Sequence, residues 1–206
     1  MLKFVSGWAG FPALFPQISE RYPFYLPFVT HSENEIAKAL DEGGEILAGW
    51  STGAHIILKN IDRITDKYEK IFLFAPFVSF CDYFHSQAIM LMIKKMKRDP
   101  RTVLNDFYDK CGLNGFTPET DEKTVTALIE GLEFLLESRA DVKGCSAENK
   151  VVLVQGAGDM IVNFRASEDV ADMLRGEKLI TIESGHYMRE KLIAEIIYEN
   201  THKKIL

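Results

Sequence analysis

At 206 residues the chain is long enough to bury a sizeable core and suits a single domain. Its formal net charge of −6 argues against broad binding to nucleic acid or to anionic membranes, both of which call for a positive field. Hydrophobic residues make up 47% of the chain, the globular range, and no repeat, low-complexity block or apolar run of membrane-spanning length is visible.

The first stretch, MLKFVSGWAGFPALF, resembles a secretory leader only in part. Gly7, Gly10 and Pro12 break its apolar run and no small-x-small site follows, so it reads as mature protein. Cys81, Cys111 and Cys145 are an odd number without metal-ligand spacing. Reduced thiols in a cytoplasmic protein, and neither metal nor cofactor, are therefore expected.

In chain order, short apolar runs predict strands at 2–5, 24–29, 45–49, 70–74, 150–155 and 178–183. Helical patterns at about 11–21, 33–42, 52–66, 165–175 and 187–198 lie between most of them. Strands that alternate with helices and are apolar on both faces predict a mostly parallel α/β sheet of about six strands, flanked by helices. The interval after the fourth strand exceeds what a crossover needs. Within it Val125, Leu128, Ile129, Leu132, Leu135 and Leu136 follow helical spacing, so residues 77–147 are expected to form a helical lid inserted in the one domain.

Gly49-Trp50-Ser51-Thr52-Gly53 falls between the third strand and the next helix and fits G-x-S-x-G, the pattern of a nucleophile elbow. Serine is a weak nucleophile until a base takes its proton, and a sharp strand-to-helix turn exposes its hydroxyl to one. The pentapeptide alone would also suit a glycine-bounded helix start with Ser51 as its N-cap; the flanking strand and helix favour the elbow. The base must follow. His31 precedes the serine, His55 lies one turn into the elbow helix, His85 falls in the insertion and His202 in a polar tail. His186, in IESGHYM directly after the last strand, stands where open α/β sheets build sites. Asp159, in the glycine-rich loop of VVLVQGAGDMIV, is the candidate acid, although a turn aspartate is common. An oxyanion would need two amides: Thr52, next to the serine, and Trp8, in the loop after the first strand. The Trp8 ring either walls the pocket or packs in the core.

Together these stretches give the chain the look of a compact α/β-hydrolase. Within that superfamily it is similar to the pimeloyl-acyl-carrier-protein methyl ester esterases of biotin synthesis. SGWAG resembles their HGWG loop, GWSTG their GWSxG elbow, GAGDMIV their acid loop and SGHYM their histidine loop; LIEGLEFLLESRADV and RDPRTVLNDFYDKCG resemble lid helices. The resemblance implies Ser51 as nucleophile, His186 as base, Asp159 as its orienter and the amides of Trp8 and Thr52 as oxyanion donors. Ser6 departs from the pattern, standing where these esterases usually have histidine; a shorter lid and the absence of the usual first hairpin are further expected departures.

AIMLMIKKMKR is apolar and then basic. It reads either as a lid helix with solvated lysines or as an acyl tunnel with a basic rim. In the second reading Met90 and Met92 line the tunnel, and Lys94, Lys95, Lys97, Arg98 and Arg101 receive an acidic acyl carrier protein. Phe77 and Phe80 would wall the pocket or form the apolar base of the lid. The expectation is a serine esterase that cleaves a carboxylic ester through an acyl-enzyme, the resemblance implying an acyl-carrier-linked methyl ester of biotin synthesis, without nucleic acid or membrane as partner. A thioesterase, a general small-ester carboxylesterase and a non-enzymatic binding protein stay open as alternatives.

Overall fold

The computed structural model describes residues 1–142, 149–175 and 177–206, so Cys145 and the end of the expected insertion lie outside the described residues. Six strands form one sheet: β1 (Leu2–Val5), β2 (Phe24–Tyr25), β3 (Gly44–Trp50), β4 (Tyr68–Phe74), β5 (Val151–Gly156) and β6 (Lys178–Ile182). Their spatial order is β2-β1-β3-β4-β5-β6, and every pair is parallel. In register, Val5 pairs with Gly49, Trp50 with Phe74, Phe74 with Val154 and Gly156 with Ile182, so the C-terminal ends of the strands share one sheet edge.

Alternate side chains along the strands feed two cores, as the two-residue period of a strand requires. Phe4, Ala48, Trp50, Phe72, Phe74, Val152 and Val154 pack on one face. There they meet α1 (Pro16–Arg21), α5 (Ser86–Met96), α6 (Pro100–Cys111), α7 (Glu122–Glu137) and α9 (Glu190–Thr201). Val5, Leu47, Ile71, Leu73, Val151 and Leu153 pack on the other, against α2 (Glu33–Asp41), α3 (Thr52–Lys59), α4 (Ile61–Ile64) and α8 (Phe164–Met173). Fully burying a side chain of the size of Phe72 contributes roughly 2 kcal/mol, and the middle of the sheet does so on both faces.

Three expected elements are shorter or broken, each for a backbone reason. The strand expected at 24–29 stops at Tyr25, because Pro27 has no N–H to give a ladder and Phe28 turns to φ 68°. The amides of Thr30 and His31 close that turn on the Leu26 carbonyl. The helix expected at 11–21 divides into a 3-10 turn at Pro12–Leu14 and α1, each opened by a proline. The helix expected at 52–66 breaks at Asn60 (φ −113°, ψ 3°), whose side chain donates back to the Ile56 carbonyl. Between β4 and β5 the chain carries α5, α6 and α7, and no helix among the described residues is long and apolar enough to cross a membrane.

Candidate active site

Ser51 stands between β3 and α3 with φ 56° and ψ −117°, a conformation that costs a non-glycine residue about 1–3 kcal/mol. The surroundings impose it. The Ser51 amide donates to the Phe74 carbonyl at 2.8 Å, and the His55 amide donates to the Ser51 carbonyl at 3.0 Å. Gly49 and Gly53 let strand and helix meet this tightly. A methyl group on Gly49 would lie 2.8 Å from the Ala54 nitrogen; one on Gly53 would overlap the Val5 carbonyl and lie 2.6 Å from that of Ser6. Glycine is needed here for close approach rather than for turn flexibility.

His186 follows β6 and Asp159 follows β5, so the sheet edge brings three distant segments together. The Ser51 Oγ to His186 Nε2 distance is 3.1 Å, and His186 Nδ1 lies 2.7 Å from Asp159 Oδ2. Asp159 also accepts from the Ile161 and Val162 amides at 2.8 and 2.9 Å and from Gln155 Nε2 at 3.1 Å. Burial alone would raise its carboxyl, but the imidazole of His186 and the Val162 and Ile161 amides outweigh burial and hold it below the usual carboxylate range. As an ionised acceptor it keeps the His186 proton on Nδ1, which leaves Nε2 free to accept from the Ser51 hydroxyl.

Sequence reading missed the side chains that hold this chain of groups. Trp50, the second residue of the elbow pentapeptide, is fully buried; its Nε1 donates to the His186 carbonyl at 2.8 Å and its ring lies 5.1 Å from the imidazole. Gln155, the lone polar residue of β5, is fixed by the Ser167 hydroxyl 2.7 Å from its Oε1. A polar residue inside an apolar strand was the available signal. Gly156 lets the histidine loop cross the end of β5, since a methyl group there would lie 2.5 Å from the Gly185 carbonyl.

The loop after β1 lies against the elbow: a methyl group on Gly7 would lie 3.1 Å from Ser51 Cβ. The Gly10 amide donates to the Gly7 carbonyl at 3.0 Å. That carbonyl belongs to the same trans peptide as the Trp8 N–H, so this bond turns the N–H the opposite way. Neither the Trp8 nor the Thr52 amide has an acceptor among the described residues. Ser6, at the departure from the esterase motif, donates to the Gly10 carbonyl at 2.6 Å and ties the turn. Tyr108 of α6 donates to the Ala9 carbonyl at 2.7 Å, and Trp8 Nε1 to the Leu128 carbonyl of α7 at 2.7 Å. The C-terminus of α6 also holds the histidine loop, through the Tyr187 amide on the Cys111 carbonyl at 3.2 Å.

A cleft of about 140 Å³ adjoins the site, lined by Trp8, Phe80, Met92, Phe107 and Ile161 among others. Phe107 links it to the serine: its ring stacks edge-on to Trp8 at 4.8 Å and lies 6.4 Å from His186. Two residues expected in the pocket lie elsewhere. Phe77 is buried against His55, with ring centroids 4.9 Å apart, and Met90 is 45% exposed on the outer side of α5. Of the basic set, Lys95 lines the cleft and pairs with Asp106 at 3.1 Å, while Lys94, Lys97, Arg98 and Arg101 are exposed.

The other histidines serve the scaffold. His55 donates to the Phe77 carbonyl (3.1 Å) and accepts from Ser138 (2.8 Å), and burial lowers its pKa to about 4. His31 contacts Thr30 Oγ1 at 2.8 Å, His85 starts α5 and His202 ends α9. Burial, joined by the Asp159 charge at Cys111, raises the thiols of Cys81 and Cys111, so neither is an activated nucleophile. Among the described residues no group of three or more His, Cys, Asp or Glu could hold a metal.

No protein-family model matches this chain, and no curated protein matches it. Solved structures do. It is similar to an esterase from Exiguobacterium antarcticum at TM-score 0.67 and 17% identity, over 96% of this chain and 91% of that one. An α/β-hydrolase enzyme from a Medee basin deep-sea metagenome library gives TM-score 0.66 and 10% identity, over 100% and 90%. The enol-lactonase from Burkholderia xenovorans LB400 gives 0.63 and 7%, over 98% and 92%. At these identities the likeness is one of architecture, and the six-stranded parallel sheet flanked by helices is an α/β-hydrolase fold.

Proposed function

We propose that the protein is a serine hydrolase that cleaves a carboxylic ester through an acyl-enzyme. The observation that carries this is the hydrogen-bonded series Ser51–His186–Asp159, starting from a serine held at positive φ on the elbow. Ser51 Oγ attacks the ester carbonyl as His186 Nε2 takes its proton, and Asp159 stabilises the imidazolium through Nδ1. The amides of Trp8 and Thr52 receive the oxyanion. His186 returns the proton to the leaving alcohol, and water then releases the acid by the same steps in reverse order. In this reading α5, α6 and α7 act as a lid. A cleft of about 140 Å³ suits a short acyl chain or a single ring, since an apolar cavity of about 150 Å³ accepts benzene. The test is labelling by a serine-directed fluorophosphonate together with hydrolysis of p-nitrophenyl butyrate. We expect both in the wild type and neither in Ser51→Ala; a folded Ser51→Ala protein of wild-type turnover would refute the reading.

A narrower reading is hydrolysis of a carrier-bound acyl methyl ester, as in biotin synthesis. The motif resemblance supports it, and so do Lys94, Lys97, Arg98 and Arg101, exposed on the segment that carries the cleft-lining Lys95 of an acidic protein. Reversing these four to glutamate should lower kcat/KM for the carrier-bound ester and spare a small neutral ester. Equal effects on both would remove the carrier from the proposal.

A further inference from the structure

We propose that the acyl arm of the substrate ends in a carboxylate, which Lys110 binds at the mouth of the cleft. This rests on the ester-hydrolase reading above and names its substrate class.

The cleft is mostly apolar, with three charged residues on its lining: Lys95, Asp106 and Lys110. Two of them neutralise each other, Lys95 Nζ lying 3.1 Å from Asp106 Oδ2. Lys110 has no ion-pair partner among the described residues, so the rim carries one uncompensated positive charge. Helical spacing sets its position. Val103, Asp106, Phe107 and Lys110 fall on one face of α6, and each lines the cleft. Lys110 therefore lies about 4.5 Å along the helix from Phe107, the residue whose ring packs near His186. An acyl chain that leaves Ser51 past Trp8 and Phe107 runs along this face towards Lys110.

The wider charge pattern agrees. From Lys94 to Lys110 there are six basic and three acidic residues, a net +3 on a chain whose total is −6. An acidic protein repels anions over most of its surface, so a local positive field at the cleft mouth selects them there. A purely apolar arm gains nothing from Lys110, whereas a carboxylate gains a charge-assisted hydrogen bond beside low-dielectric walls.

The test compares kcat/KM for monophenyl glutarate, the anionic substrate, with that for phenyl 5-methylhexanoate, whose branched end matches the carboxylate in shape. The Ser51→Ala protein serves as the blank. The wild type should prefer the anion, and added salt should shrink the preference. Lys110→Met should lower the anion-to-neutral ratio about fivefold, the upper end of what an exposed charge pair supplies. Asp106→Asn should raise the ratio, because it removes the rim's negative charge and frees Lys95; a misfolded variant cannot mimic that gain. A wild-type preference for the neutral ester, or a ratio that neither substitution moves, overturns the proposal. If the wild type cleaves neither ester, the hydrolase reading fails, and calorimetric titration with monophenyl glutarate judges this proposal alone. Ser51→Ala should then bind it more tightly than Ser51→Ala/Lys110→Met, and equal affinities overturn it.

Discussion

Acid should weaken this fold through His55, a residue outside the proposed chemistry. His55 is one turn past Ser51 on α3 and joins that helix to Phe77 and to Ser138, beyond α7. It is fully buried, and burial lowers its pKa to about 4, against about 6.5 in an unfolded chain. Between those values the unfolded state binds a proton that the folded state refuses, so stability falls as pH drops from about 6.5 towards 4 and is level above that window. A gap of about 2.5 pKa units corresponds to about 3 kcal/mol in full, of which about 2 kcal/mol is lost between pH 7 and pH 5. The assay is urea denaturation at both pH values for the wild type and for His55→Gln, which cannot titrate. Asp159, whose lowered pKa gives stability that is lost at still lower pH, contributes alike to both proteins. With a slope of roughly 2 kcal/mol per M, the wild-type midpoint should fall by about 1 M more than that of the variant. Equal pH dependence in the two proteins would refute the account of His55 as a buried neutral histidine.

Ser51→Gly and Ser51→Ala should both lack activity, yet the glycine variant should be about 1 kcal/mol the more stable in thermal unfolding, because glycine accepts φ 56° without strain. Asp159→Asn should retain the fold and lower kcat by roughly three to four orders of magnitude, since an amide no longer holds the His186 proton on Nδ1; a loss below tenfold in steady-state assays would remove Asp159 from the proposed mechanism. Trp50→Phe strips the His186 carbonyl of its donor, which should cost about 1–3 kcal/mol of stability in urea titrations and reduce kcat more than it changes KM.

The sequence by itself determined the order of the elements and the sheet class. Apolar strand runs and helical periodicity are local signals, and VVLV, apolar at every position, suits a strand of a sheet covered on both faces. It also placed Ser51, Asp159 and His186 after the third, fifth and sixth strands, in the order the proposed mechanism needs, because the glycines that punctuate those loops are themselves local. Only the tertiary structure decided what holds them. Trp50 reaches the carbonyl of a residue 136 positions away, Tyr108 one 99 away and Trp8 one 120 away, and no periodicity encodes such separations. The cleft shows the same division. Met90 and Met92 are equivalent in composition, but neighbours two apart on a helix face about 200° apart, so Met92 turns to the cleft and Met90 to solvent. The pairing of Lys95 with Asp106, which leaves Lys110 as the uncompensated charge on the cleft, arises from the packing of α5 on α6, a contact between helices that sequence spacing does not express.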